Sequence, residues 1–308
     1  METAEEYLLE AMKHPALRIC TGSRMYGTAR IDEQGNIISD MDLRDILIPP
    51  FEYLTLIKGD FETRKGSIGD DHVVYSLSFF INKLIKGNPQ MIEILFAQPD
   101  MILAQDRVGK ELLSMRESFV SKQYYKSMLG FSYSEFRKTC GEKLIFEEHK
   151  PNEDQAWDVF RETFGPKWGN KRKEITDEIK ALAYSCHPFK LIPSVDGISK
   201  KRRHEFQDFG YCSSSACHSL RILRQAAEFL RTGNIIFPRP DAEELRDIKL
   251  GKSTLEKFKV LYEEAKADAA AAFKESKLPD KCEEDKVQAW LNQKIINAIY
   301  TLPVSMRY

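Results

Sequence analysis

The N-terminal third of the chain alternates between short extended runs and an amphipathic helix. Apolar and polar residues alternate over residues 16–21, which predicts a strand because side chains of a strand point to opposite faces in turn. Two more strands are predicted, from Asp40 to Ile48 and over residues 71–75. Apolar residues then recur at helical spacing from Leu77 to Leu84. This order predicts a compact unit of strands and helices up to about residue 100.

Beyond about residue 104 the pattern becomes mainly helical. Gly87 stands where a helix closes, and Asn88-Pro89 has the residue types that cap and begin the next helix. Apolar residues at helical spacing predict a long helix over residues 214–231. Two capping boxes, Asp241 with Glu244 and Ser253 with Glu256, are predicted to begin the next helices. A last helix is predicted from about residue 283 to 300.

The composition indicates the general class of protein but does not indicate which reaction it catalyses. The chain has 308 residues, 42% of them hydrophobic, which is typical of a soluble globular protein of one or two domains. It has no apolar run long enough to cross a membrane, and its acidic start lacks the apolar core of a signal peptide. Six cysteines without a framework spacing then predict reduced thiols and a cytoplasmic protein. Because the net charge is −1, a nucleic-acid partner would have to be held by local basic patches.

Two short motifs near the N-terminus suggest phosphate and metal chemistry. The first predicted strand breaks at Gly22-Ser23, and such a break points backbone N–H groups and a hydroxyl towards a phosphate. Asp40 and Asp42 stand two apart on a predicted strand, so both carboxylates are expected on one face, where they would suit Mg²⁺. Arg24 and Arg44 flank these motifs, and guanidinium groups bind triphosphates well. A phosphate-binding turn beside paired carboxylates is the layout of nucleotidyl transfer.

The same motifs, in their order along the chain, resemble a known family. Gly-Ser-Arg-Met-Tyr-Gly at 22–27 and Ser-Asp-Met-Asp-Leu-Arg at 39–44 resemble the nucleotidyltransferases of the DNA polymerase β superfamily. Lys-Gly-Asn-Pro at 86–89, Glu-Ile-Leu-Phe at 93–96 and His-Ser-Leu-Arg-Ile-Leu at 218–223 are more narrowly similar to the predicted nucleotidyltransferase family associated with RNA repair. The likeness covers about residues 16–100 and 207–292. Asp45, where the family usually has glycine, and Ser214, where it usually has lysine, depart from it.

The resemblance implies an architecture and a reaction. It implies an α+β protein with a polymerase-β-type nucleotidyltransferase domain, a short mixed sheet with helices, at residues 1–105. A mainly helical domain at 106–308 would follow, with an insertion at about 141–205. The enzyme would transfer a nucleoside monophosphate from ATP or another NTP to a hydroxyl and release pyrophosphate, using two Mg²⁺ ions or Mn²⁺ in their place.

The resemblance also extends the set of site residues. Asp71 opens the third strand, where the superfamily has its third carboxylate, and Asp70 and Glu62 are the alternatives. His218 and Arg221 lie off the apolar stripe of the predicted long helix, which makes them candidates for nucleotide binding in a cleft or, alternatively, a structural hydrogen-bonded pair.

The acceptor is predicted from the family association and from two basic runs inside the presumed insertion. The runs comprise Lys171, Arg172 and Lys173, and then Lys200, Lys201, Arg202 and Arg203. Aromatic residues interleaved with them would suit the phosphates and stacked bases of nucleic acid, whereas the alternative is a solvated charged face. The first prediction is therefore an RNA 3′ end, of tRNA or another RNA, modified in RNA repair. The alternatives are a protein or small-molecule hydroxyl, or a nucleotide-binding regulatory protein without catalysis.

Overall fold

A computed structural model describes residues 12–48, 71–141 and 200–301. The chain divides into two compact units, one comprising Met1–Glu135 with Ser213–Tyr308 and the other Phe136–Cys212. The domain boundary expected near residue 105 and the insertion expected at 141–205 stay predictions, since most of that insertion lies outside the described residues.

The described strands form one small mixed sheet. They are β1 (Leu17–Thr21), β2 (Asp42–Leu47), β3 (His72–Ser76) and β4 (Ile102–Gln105). The order across the sheet is β3-β2-β1-β4, with β1 antiparallel to both of its neighbours and β2 parallel to β3. This arrangement confirms the expected α+β class and the expected short mixed sheet, whereas the polymerase-β-type domain stays a prediction.

Helices make up most of the remaining described residues. In chain order they are α1 (Gly22–Tyr26), α2 (Leu77–Ile85), α3 (Pro89–Ile94), α4 (Arg107–Ser114), α5 (Tyr124–Thr139), α6 (Lys200–Phe209), α7 (Ser213–Thr232), α8 (Ala242–Lys249), α9 (Leu255–Glu275) and α10 (Glu284–Thr301). Short 3₁₀ turns at Pro99–Met101 and Arg116–Phe119 flank β4 and α4. Within the described ranges, none of the helices combines the length and the apolar character needed to cross a membrane.

Local signals in the sequence explain where α2 and α3 begin. The Ser76 hydroxyl accepts a hydrogen bond from the Phe79 N–H at 3.1 Å, which caps α2. The Asn88 side chain accepts from the N–H groups of Gln90 and Met91 at 2.9 and 3.2 Å, and Pro89 occupies the first helical position of α3. The predicted cap at Asn88 is confirmed.

The core of the sheet includes the apolar face of α2, which packs against β2 and β3. Leu17 and Ile19 in β1 are fully buried, as is Val74 in β3. The four α2 residues buried with them are Leu77, Phe80, Ile81 and Leu84. Burying one such side chain contributes about 1.5–3 kcal/mol, so this layer stabilises the sheet that carries the candidate site.

The helix α7 is buried on almost all sides. It packs along α9, and the ring of Phe229 meets Phe96 and Tyr124 edge-on, with ring centroids 6.1 and 5.7 Å apart. Of the residues from Ser213 to Leu230, only Ser214, His218, Arg224 and Glu228 keep partial exposure. The predicted helix at 214–231 is confirmed, but its polar side is largely covered as well.

Three details of secondary structure differ from the sequence prediction. The edge strand β4 is not predicted, because the exposed position 103 is a leucine, so apolar and polar residues do not alternate along the strand. Asp241 precedes α8 but caps no N–H with its side chain, since its carboxylate binds Arg224 at 2.7 Å instead. The cap of α9 is Thr254 and not Ser253, because the Thr254 hydroxyl accepts from the Lys257 N–H.

Asp45 forms a buried ionic contact across the sheet. Its side chain is fully buried, and Arg18 of β1 donates to its two oxygens at 2.8 and 2.6 Å. Nε2 of His72 in β3 lies 3.0 Å from Oδ2 of the same carboxylate. Asp45 therefore joins three neighbouring strands, at a position where the family that the sequence resembles usually has glycine.

We expect Asp45→Ala to destabilise the protein by about 3 kcal/mol, because it leaves Arg18 without its buried partner. Asp268→Ala is the matched control, since it removes one partner of the exposed Arg231–Asp268 pair and should cost less than about 1 kcal/mol. Urea unfolding of both variants measures the difference. Equal losses would contradict the stabilising role of the Asp45 contact.

Candidate active site

The predicted phosphate-binding turn is a very short helix bounded by two glycines. β1 ends at Thr21, and α1 follows at Gly22, whose φ of +66° lies in the left-handed region that glycine adopts readily. The helix ends at Tyr26 and is followed by Gly27, with φ +74°, and the Thr28 N–H donates to the Ser23 carbonyl at 2.9 Å. Ser23, the second residue of α1, is half-buried. The predicted break after β1 is confirmed.

The backbone of Gly22 lies directly against the carboxylate of Asp42. A Cβ built on Gly22 would lie 2.0 Å from Asp42 Oδ2, so a larger residue would displace that carboxylate. The register of the sheet explains the contact, because Thr21 of β1 pairs with Asp42 at the first position of β2. The turn and the acidic motif are thus brought together.

Asp40 lies just before β2 and not within it. The strand begins at Asp42, which pairs with the last residue of β1, so no further residue of β1 is available to pair with Asp40. The expectation that Asp40 lies within the strand is therefore wrong, and a shared face for Asp40 and Asp42 stays a prediction. Arg24 holds this segment, since its Nη2 donates to the Ser39 carbonyl at 2.8 Å and its Nε to the Asp40 carbonyl at 3.2 Å. Asp40 itself is exposed.

Asp71 lies beside the start of β2. The Leu43 N–H donates to the Asp71 carbonyl at 2.7 Å, and Leu43 pairs with His72 in the parallel register. Asp42 and Asp71 therefore stand next to one another at the starts of neighbouring strands. Arg44 spans both strands, because its Nη1 donates to the Leu43 carbonyl at 2.7 Å and the Asp71 carbonyl at 3.2 Å. The alternatives Asp70 and Glu62 lie outside the described residues.

The carboxylates at this edge of the sheet are of the chemical type that binds divalent cations. Asp40, Asp42 and Asp71 offer carboxylate oxygens, the hard ligands that Mg²⁺ prefers, and Arg44 Nη2 lies 3.8 Å from Asp42 Oδ1. In the part of the chain that the structure describes, no three His, Cys, Asp or Glu side chains form a cluster that could hold a metal ion. Asp40, Asp42 and Asp71 all belong to that part, so the structure does not bring the three carboxylates together into one metal-binding cluster.

The far end of α1 is held by a buried polar cluster. Tyr26 donates its hydroxyl to Glu93 Oε2 at 2.6 Å, and Arg221 of α7 donates to Glu93 Oε1 at 2.6 Å. The guanidinium of Arg221 also lies 3.7 Å from the centre of the Tyr26 ring and binds Gln225. We call Tyr26, Glu93, Arg221 and Gln225 the Glu93 cluster.

Burial governs the ionisation of this cluster. Burial raises the pKa of Tyr26 well above its usual range, and the charge of Glu93 raises it further against the effect of Arg221. Burial alone would lower the pKa of Arg221, but Glu93 raises it above its ordinary value. Tyr26 is thus a neutral donor and Arg221 a permanent cation. Arg221, expected on a polar face open to a cleft, is only 3% exposed, because α7 packs on both sides. His218, one turn earlier, is half-buried.

Two arginines from the C-terminal part of the chain, Arg239 before α8 and Arg246 within it, complete the support of α1 by binding main-chain carbonyls at its end. The Arg239 N–H donates to the Tyr26 carbonyl at 3.1 Å, and Arg246 of α8 donates to the Gly27 carbonyl at 2.6 Å. Sequence reasoning missed Tyr26, Arg239 and Arg246 as residues of the site. Tyr26 could have been found from its place in the motif at 22–27, but no local signal marks Arg246.

The predicted nucleic-acid-binding residues lie in the second unit. Lys171, Arg172 and Lys173 fall outside the described residues. Lys200, Lys201, Arg202 and Arg203 begin α6, so this basic run is helical.

Comparison with known proteins gives one distant relative. No protein-family model matches the chain, and no solved structure matches it. The chain is similar to an uncharacterized 38.9 kDa protein from the nrdC–mobD intergenic region of Enterobacteria phage T4, with 22% identity over 309 aligned positions. The alignment covers 83% of this chain and 88% of the phage protein. The similarity therefore spans most of both chains and assigns no activity.

We expect Gly22→Ala to weaken Mn²⁺ binding about 10-fold or more, because the new methyl group would displace the Asp42 carboxylate. Gly35→Ala is the matched control, since Gly35 also has a positive φ, +86°, but no atom within 4 Å of the position of a Cβ. Titration with Mn²⁺ followed by electron paramagnetic resonance measures both affinities. If the two variants bound Mn²⁺ with equal affinity, Asp42 would not be a ligand in the predicted metal site.

Proposed function

We propose that the protein is a metal-dependent nucleotidyltransferase of the DNA polymerase β superfamily that moves a nucleoside monophosphate from an NTP to a hydroxyl group. The observation that carries the proposal is the contact between the Gly22 backbone and the Asp42 carboxylate, with Asp71 at the start of the next strand. The proposed phosphate-binding turn and two of the three acids, Asp42 and Asp71, thus lie at one edge of the sheet.

The reaction requires one bond to form and one to break. The acceptor oxygen bonds to the α-phosphorus of the NTP, and the bond from that phosphorus to the oxygen of the leaving pyrophosphate breaks. Asp71 accepts the proton of the attacking hydroxyl as a general base. Gly22 and Ser23 bind the β- and γ-phosphates through backbone N–H groups and the serine hydroxyl.

Asp40, Asp42 and Asp71 would hold the divalent ions. When bound, the ions supply positive charge to the triphosphate and lower the barrier to its cleavage. Arg24 and Arg44 hold the carbonyls next to these acids, at Ser39, Asp40, Leu43 and Asp71. A guanidinium has five N–H donors, so these contacts leave each arginine able to bind phosphate as well.

The acceptor we propose is an RNA 3′ end. Support comes from the family association and from the four consecutive basic residues at the start of α6, within ten residues whose remaining members include two phenylalanines. Because the overall charge is −1, attraction to RNA must come from such a local run.

Radiolabelled NTPs test the reaction class. The protein is incubated with Mg²⁺, RNA bearing a 3′ hydroxyl, and ATP labelled at either the α- or the γ-phosphate. We expect RNA to gain label from α-labelled ATP only, because the γ-phosphate leaves in pyrophosphate. Label from the γ-position would indicate a kinase. Label on the protein itself or on an added small alcohol, with RNA unlabelled, would identify another acceptor, and no transfer from any NTP would overturn the proposal.

We expect Asp42→Asn and Asp40→Asn each to lower the transfer rate by about 100-fold or more, since each removes a charged metal ligand. Asp71→Asn should be nearly as damaging because it also removes the base. The control is Asp100→Asn, an exposed carboxylate in the 3₁₀ turn before β4, whose rate should stay that of the wild type. Wild-type rates for both Asp40 and Asp42 variants would contradict the assignment of the site.

Reversal of Lys200, Lys201, Arg202 and Arg203 to glutamate should weaken RNA binding. Each lost phosphate contact flattens the slope of log affinity against log salt by about 0.7 for a single strand. Fluorescence anisotropy with a labelled RNA at several salt concentrations measures this slope. The matched control reverses four exposed lysines in and just after α9, namely Lys257, Lys259, Lys274 and Lys277. The same loss in both variants would show a general charge effect, and no loss in either would leave the α6 run as a solvated face.

A further inference from the structure

We propose that Glu93 is a positioning residue: through Tyr26 and Arg221 it sets the place of α1, and thereby the distance between the nucleotide-binding turn and Asp42. The inference rests on the proposed function for what the turn binds. Glu93 itself is 1% exposed and lies in α3, outside the turn and the acidic motif. It acts through Tyr26 and not on the nucleotide.

The helix α1 is too short to fix its own position. A helix of five residues does not hold its shape alone, because nucleation is unfavourable and isolated helices need about 12–15 residues. Its position is therefore set by contacts with the rest of the fold. The first residue of α1, Gly22, contacts Asp42. The last residue, Tyr26, contacts Glu93 and Arg221 within the Glu93 cluster.

The two carboxylate oxygens of Glu93 bind different partners. Oε2 accepts from the Tyr26 hydroxyl and Oε1 accepts from Arg221, which also stacks on the Tyr26 ring at 3.7 Å. Tyr26 is thus held at its hydroxyl and across its ring face, while its carbonyl accepts from the Arg239 N–H. Movement of Tyr26 would carry Gly22 with it, since one turn of helix connects them.

The chemistry of the cluster argues against a purely stabilising role. A buried ion pair costs desolvation, and well-packed apolar side chains in its place are often as stable or more so. What an ion pair with directed hydrogen bonds supplies is a fixed geometry. A fixed geometry is what the turn requires, because the Gly22 backbone approaches Asp42 too closely to tolerate even a methyl group.

The main test is Tyr26→Phe, which removes one oxygen atom and keeps the ring over Arg221. We expect ATP affinity to fall about tenfold, because loss of the hydrogen bond to the Glu93 carboxylate lowers the share of molecules with a correctly placed turn by about that factor. The matched control is Tyr124→Phe, which removes another tyrosine hydroxyl, the donor to the Leu84 carbonyl at 2.7 Å. The control should lose comparable stability in urea and no ATP affinity. Equal effects on ATP binding in the two variants would reduce the Glu93 cluster to a stabilising contact.

A second variant examines Glu93 directly. Glu93→Gln keeps the side-chain shape but removes the charge that pairs with Arg221, and we expect it to weaken ATP binding at least as much as Tyr26→Phe. The double variant should weaken ATP binding by less than the product of the two single effects, since both act through Tyr26. Should Glu93→Gln fail to fold, Tyr26→Phe still decides the proposal.

Hydrogen exchange separates this inference from the proposed function. Without any nucleotide, the amides of residues 22–28 should exchange faster in Tyr26→Phe than in the wild type or in Tyr124→Phe. Faster exchange in a protein that transfers no nucleotide would retain Glu93 as a positioning residue and reject the proposed reaction. Unchanged exchange in an active enzyme would reject the positioning role and retain the reaction.

Discussion

The antiparallel register of β1 and β2 is the constraint on which the candidate site depends. Pairing of Thr21 with Asp42 leaves β1 with its last residue opposite the first residue of β2. The chain that continues from Thr21 must then turn away over the Asp42 carboxylate, and only glycine fits at that step. A shift of one residue would turn Leu17 and Ile19 out of the core, so burial of these side chains fixes the register and the register fixes the site.

Two buried carboxylates support this register from different places. Asp45 binds Arg18 and lies against His72, which joins β1, β2 and β3 within the sheet. Glu93 works outside the sheet, where it connects the end of α1 to α7. A buried charge is tolerated only where partners satisfy it, so each carboxylate restricts the elements around it to one arrangement.

Periodic patterns in the sequence predict the local elements well and the contacts between them poorly. The strands β1, β2 and β3 and the helices α2 and α7 follow alternation or helical spacing, which burial imposes directly. The edge strand β4 escapes prediction because its exposed position 103 is a leucine, so apolar and polar residues do not alternate along it. Within the site, the proximity of Gly22 to Asp42 follows from neighbouring strands, whereas the pairing of Glu93 with Arg221 joins residues 128 positions apart and depends on how whole helices pack. Helical spacing placed Arg221 off the apolar stripe, but spacing alone does not show that a helix is covered on both sides.

The contact between Arg246 and the Gly27 carbonyl has a consequence for the order in which the protein is made. The two residues are 219 positions apart, so at a synthesis rate of 5–20 residues per second the ribosome adds the second about 10–40 seconds after the first. During that interval β1 and α1 have left the ribosome without the arginines that hold the end of the turn. The strands β1 to β4 can pair with one another during that interval, but the end of α1 gains its contacts with Arg239 and Arg246 only after residue 246 has been added.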